Sequence, residues 1–244
     1  MKKVFKVTML IISILSTSYV DAAISLDRTR VIFPGDRSAV SLKIANQNKE
    51  LPFLAQAWLE DDTGKKISSP FIVLPPIQRL EPEMASILKI QSLPAVAQLP
   101  QDKESLFYFN LREVPPKSEQ SNTLQLALQT KIKFFYRPQA LVVADGSTKA
   151  LWQEKLTLNL EGSGYYLDNP TPYYVTVVSA ATSEKETPIS GFEAVMLSPN
   201  SSHKLNLAGK SLGSTPTLTY VDDYGGRRLL NYKCSTSCQL VSAK

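Results

Sequence analysis

The feature that most constrains this chain is residues 122–138, NTLQLALQTKIKFFYRP. Leu124, Leu126, Leu128 and Ile132 share one parity, and Thr130 is the only polar residue among them. Gln125, Gln129, Lys131 and Lys133 fill most of the other parity. Period-two alternation predicts a β-strand with one apolar face. The stretch exceeds twice the usual strand length of about 5–6 residues. It also ends in cations and aromatics rather than in a turn. Two uses fit such a strand: a core strand, or a strand offered to another chain.

The surrounding sequence points to an all-β protein. Prolines outnumber glycines, 16 to 10, and they punctuate short apolar runs throughout. Residues 24–34, 39–46, 53–60, 71–74, 85–93 and 105–114 read as strands ahead of the long one, with Trp58 in the third. Turns fall at Pro34-Gly35, at the acidic tip Glu60-Asp61-Asp62-Thr63-Gly64, at Pro75-Pro76 and at Pro115-Pro116. About seven strands at short intervals is the pattern of an immunoglobulin-like sandwich. Residues 140–150 read as an interdomain connection. A second sandwich follows, with strands over 155–160, 164–167, 174–179, 192–196, 203–207, 217–221, 228–233 and 239–242. No long amphipathic helix is visible.

The N-terminus reads as a signal peptide, residues 1–22. Lys2, Lys3 and Lys6 precede a short apolar run, and Val20-Asp21-Ala22 presents small or aliphatic residues to a signal peptidase. The apolar run is too short to span a bilayer, which takes about 20 residues. Cleavage after Ala22 is expected, with Ala23 as the alternative. The expected domains are then 23–143 and 144–244, in an exported protein that is not membrane-embedded. Removing Lys2, Lys3, Lys6 and Asp21 takes the net charge from +5 to +3. That balance does not argue for nucleic acid, and no nucleic-acid-binding motif is present.

Catalytic motifs are missing. There is no G-x-S-x-G elbow, no phosphate loop and no complete dinucleotide fingerprint. With a single histidine, His203, an H-E-x-x-H site is impossible. His203 lies among Ser201, Ser202 and Lys204 and reads as a surface residue. No enzyme activity, cofactor or metal is expected. Cys234 and Cys238 are the only cysteines, and in an exported chain a close pair reads first as a disulfide.

Several stretches together resemble the periplasmic chaperones of chaperone–usher pili, the PapD-like family. They are 28–34 (RTRVIFP), 99–116 (LPQDKESLFYFNLREVPP), Lys133 with Phe135-Tyr136-Arg137-Pro138, 169–174 (NPTPYY) and 222–226 (DDYGG). The resemblance covers nearly the whole mature chain, with its motifs in order. It implies two immunoglobulin-like domains set as a boomerang. It also implies a periplasmic function: binding pilus subunits by donor-strand complementation and delivering them to an outer-membrane usher. Partners would be pilins, a tip adhesin among them, and the usher. By the same resemblance Arg30 and Lys133 anchor a subunit's C-terminal carboxylate. Leu124, Leu126 and Leu128, with Ile132 on the same parity, enter the subunit's groove. Glu104, Arg137 and Asp223 form an ionic trio that sets the interdomain angle. The short loop at 117–121 resembles the short-loop subclass, and the cysteine pair resembles a disulfide of some members' second domain. Lys133 has the opposite parity to the leucines. Either a bulge or twist intervenes, or the carboxylate sits on the other face. The rival reading is an exported immunoglobulin-like structural or adhesive surface protein.

Overall fold

Alternating runs become strands here because each has a second strand to pair with and a second sheet to bury its apolar row. A computed structural model describes residues 23–118, 122–143, 151–162, 164–208, 211–235 and 237–244. The expected signal peptide and most of the expected interdomain connection lie outside these residues. In the N-terminal half the strands are β1 (Ile24–Leu26), β2 (Arg30–Pro34), β3 (Ala39–Asn46), β4 (Phe53–Glu60), β5 (Lys66–Ile67), β6 (Phe71–Leu74), β7 (Ile77–Leu80), β8 (Ala85–Ser92), β9 (Ser105–Val114) and β10 (Gln129–Arg137). In the C-terminal half they are β11 (Thr157–Glu161), β12 (Gly164–Asn169), β13 (Val175–Ala181), β14 (Val195–Leu197), β15 (Ser201–Ala208), β16 (Thr217–Val221), β17 (Arg227–Cys234) and β18 (Cys238–Ala243). Among the described residues no helix is long and apolar enough to cross a membrane.

Each half is a two-sheet sandwich. The first stacks β1-β3-β8-β6 against β2-β10-β9-β4-β5, with β7 also on β4. The second stacks β11-β12-β15 against β14-β13-β16-β17-β18. The cores are separate. Phe33, Phe71, Phe107, Phe134 and Tyr136 form the aromatic centre of the first, with ring centroids 4.9 to 6.4 Å apart. Leu158, Leu167, Val177, Leu218, Tyr220 and Leu230 centre the second.

Two expectations are corrected. The single strand expected over residues 24–34 is two strands in two sheets. β1 pairs antiparallel with β3, and β2 crosses to pair parallel with β10. Alternation alone does not register a change of sheet. The long strand begins at Gln129 rather than at residue 122. Its antiparallel partner β9 stops at Val114, and continuing the register puts Pro115 opposite Leu126. Proline has no N–H for the ladder, so pairing ends there. The last ladder-like bond runs from Glu113 N–H to the Leu128 carbonyl, and the Gln125 side chain reaches back to the Pro116 carbonyl.

Cys234 and Cys238 form a disulfide across directly opposed positions of β17 and β18. The closed loop is small, so its entropic contribution falls below the roughly 3 kcal/mol of a 15-residue loop. Cys234→Ser is expected to lower the melting temperature of the second domain by only a few degrees. The check is calorimetry of the free variant beside its recovery of subunits, which should stay normal.

Candidate functional site between the two sandwiches

The site is built on the outer face of the β2-β10-β9-β4-β5 sheet. Along β10, Ile132, Phe134 and Tyr136 point into the core, so Lys133, Phe135 and Arg137 point the other way. Parallel pairing sets Lys133 against Arg30, Phe135 against Ile32 and Arg137 against Pro34. Paired residues of a ladder share a face. Two cations distant in sequence are thereby neighbours, both turned toward the second sandwich.

The second sandwich meets them with neutral acceptors. Lys133 Nζ donates to Thr176 Oγ1 at 3.0 Å, and Arg30 Nη1 donates to the Val221 carbonyl at 3.3 Å. Arg30 Nε is buried and has no hydrogen-bond partner among the described residues. Neither cation forms an ion pair among those residues. Burial pushes Lys133 down to about 8, and the adjacent Arg30 charge adds to the effect. Burial also lowers Arg30, against the opposing pull of Asp223 and Asp222. Two half-buried cations and an unused donor thus face one another between the sandwiches, and charge-assisted hydrogen bonds from such groups are shorter and stronger than neutral ones.

Beside this pair the two sandwiches are bolted together. Arg137 Nε donates to Glu104 Oε1 at 2.8 Å. Its Nη1 and Nη2 hold Asp223 bidentately at 2.7 and 3.1 Å. The guanidinium also lies 4.7 Å over Trp152 and 5.1 Å over Tyr173, rings that stack on each other at 4.4 Å. Glu104 spans the joint: its second carboxylate oxygen accepts the Tyr174 N–H at 2.7 Å, and its own N–H donates to the Pro172 carbonyl at 2.9 Å. Burial pushes the Glu104 carboxyl up to about 6, in spite of Arg137. Burial opposes the Arg137 charge as well, but Asp223 and Glu104 hold its pKa above the ordinary value. Gly225 presses against Thr29 from the other side. A Cβ there would collide with Thr29 Oγ1, and the residue has a φ of +86°. Only glycine meets both conditions comfortably.

The structure thus brings together Arg30 with Lys133, and Glu104 with Arg137 and Asp223. Leu124, Leu126 and Leu128 project into solvent, at 82%, 67% and 42% exposure. Ile132 departs from its expected role as a groove residue. It is 9% exposed and packs in the first core, because by that point β10 is paired to β9 and its even face is covered by the opposite sheet. The open question of parity is answered by the same geometry: Lys133 lies on the opposite face of β10 from its core row. Thr176, Trp152 and Tyr173 were not singled out from sequence. Tyr173 lies in the 169–174 motif, but nothing local in Trp152 or Thr176 marks a partner on another domain.

Known proteins give the same organisation. Residues 23–142 match the family model described as pili and flagellar-assembly chaperone, PapD N-terminal domain. Residues 151–232 match that of the pili assembly chaperone PapD, C-terminal domain. The chain is 49% identical over 241 residues to the chaperone protein PapD of Escherichia coli, covering 98% of each. It is 37% identical to the chaperone protein PmfD of Proteus mirabilis, covering 99% of this chain and 94% of that one. Among solved structures, the YadV chaperone superposes with a TM-score of 0.68 at 31% identity, over 87% of this chain and 100% of that one. The SafB chaperone of Salmonella enterica, solved in complex with the SafA pilin, superposes at 0.69 and 25% identity, over 89% and 99%. Two consecutive domain matches and relatives of full length establish that this chain belongs to the PapD-like family of pilus-assembly chaperones.

Proposed function

We propose that this chaperone holds a pilus subunit by completing its sheet with residues 124–128 and the start of β10, and by gripping its C-terminal carboxylate with Arg30 and Lys133. The observation that carries this is a vacant lane. β2 pairs with Lys133–Arg137, so among the described residues the same edge of β10 is unpaired from Gln129 to Ile132. The exposed leucines continue that edge. A strand entering the lane runs into Arg30, and its last residue meets the cation pair. If that residue is the C-terminus, the strand runs parallel to β10. The leucines and the cations then read one register, since a one-residue slip turns every side chain to the wrong face. Strand addition of this kind, of which chaperone–pilin complementation is a known instance, draws affinity from main-chain bonds and specificity from alternate side chains.

The rival reading, a structural or adhesive surface protein, gives way to the chaperone relatives. Delivery to an outer-membrane usher, a periplasmic location and a cleaved signal at residues 1–22 belong to this proposal. Glu104, Arg137 and Asp223 set the angle at which the second sandwich overhangs the lane.

Leu126→Glu is the direct test. Burying a leucine is worth about 1.5–3 kcal/mol, and a buried carboxylate without a partner costs more. The variant is expected to keep the melting temperature of the free protein, because Leu126 touches no core, and to lose subunits from periplasmic extracts. An unfolded variant would mean the leucines are core and would remove the donor-strand reading.

A further inference from the structure

Glu113 is a carboxylate on the core face of β9. It follows Phe107, Phe109 and Leu111 on one parity, and its side chain is buried. Among the described residues no lysine or arginine forms an ion pair with it. It accepts a bond from the backbone N–H of Ile24 at 2.7 Å. A buried charge is costly unless it is paired, and one neutral donor is little compensation. The segment that supplies this donor is firmly held. Ile24 is buried in the first core, Ala23 packs against that core, and the Ala23 carbonyl accepts the Gln47 N–H at 2.6 Å.

We propose that the missing partner of Glu113 is the α-ammonium of the mature chain, created at Ala23 when the signal peptide is removed. The α-nitrogen of residue 23 is three bonds upstream of Ile24 N, about 3 Å away, and Ile24 N is 2.7 Å from Glu113 Oε2, so the ammonium comes within about 6 Å of the carboxylate. In the precursor that nitrogen is a neutral amide. An exported endopeptidase hydrolyses the Ala22–Ala23 bond with one water. The C–N bond breaks, Ala22 leaves with the carboxylate, and Ala23 keeps the nitrogen as an ammonium. Export therefore finishes the first sandwich, and it does so next to the lane. The backbone N–H of Glu113 donates to the Leu128 carbonyl at 3.0 Å, where the leucine segment leaves the sheet. The inference rests on residues 1–22 being a cleaved signal.

The test compares two wild-type chains, one beginning at Ala23 and one with Gly-Ser ahead of Ala23, which moves the charge away without any substitution. The chain beginning at Ala23 is expected to melt higher by about 2–4 °C. In a Glu113→Gln background the two are expected to melt together. Equal melting of the two wild-type chains would overturn the pairing, as would the same difference persisting in Glu113→Gln. N-terminal sequencing of the exported protein tests the cleavage separately. A first residue other than Ala23 would refute the pairing in the cell, even if the two prepared chains differ, and a retained Met1 would refute the signal reading itself.

Discussion

Arg137→Ala is expected to destabilise the free chaperone by about 3–5 kcal/mol, the cost of stranding a buried charge. The Arg137 and Glu104 side chains are 8% and 2% exposed, so water cannot replace the lost partner. The guanidinium also fills the space over Trp152 and Tyr173. Its removal takes away cation–π contact and packing together. Replacing all three charges, as Arg137→Met with Glu104→Gln and Asp223→Asn, should recover much of the loss, because no lone charge is then left behind. Chemical denaturation of both variants checks this. A loss below about 1 kcal/mol for Arg137→Ala would mean the trio is a surface ornament rather than the bolt of the joint.

Arg30→Ala and Lys133→Ala are expected to shift the balance: a smaller loss in the free protein, one bond across the joint each, and severe loss of cargo. Hydrogen bonds to charged groups contribute about 1.5–3 kcal/mol each. Losing both cations should therefore weaken subunit binding by about 100-fold or more. Arg30→Lys should rescue only in part, since a point charge lacks the guanidinium fork. Acidity gives a second check. Lys133 sits at about 8 in the folded chain against an ordinary 10.5. Between those values the unfolded chain keeps a proton that the folded chain has released, so stability of the free chaperone rises with pH across this window. A bound carboxylate favours the charged lysine. Affinity should then fall above pH 8, by at most tenfold per unit, and Lys133→Ala should flatten both trends.

Much of this fold was legible from alternation. β3, β4, β6, β9 and β16 begin and end where their apolar rows and flanking turn residues say they should. The parts that were not legible share a cause. Period two reports which way a side chain points, but not which sheet receives it or where a ladder stops. The crossing of 24–34 between two sheets keeps its alternation intact. Leu124 to Ile132 reads as one row, yet it divides into solvent-facing leucines and a core isoleucine. The division is set by Pro115 and Pro116, just past the end of the partner strand β9 and outside the row itself. Arg30 and Lys133 came from resemblance, and only their parallel register explains why they meet. The aromatic seat of Arg137 is a tertiary arrangement, with nothing in the local sequence at Trp152 to announce it.

The central claim is that the open edge of β10 and the cation pair act on one strand with a free C-terminus. It is tested most directly by titrating the chaperone with a peptide of a subunit's C-terminal strand, prepared as the acid and as the amide. Wild-type protein is expected to bind the acid at least tenfold more tightly, and the Arg30→Ala, Lys133→Ala double variant to bind both alike. Equal affinity of the wild-type chaperone for acid and amide would contradict it.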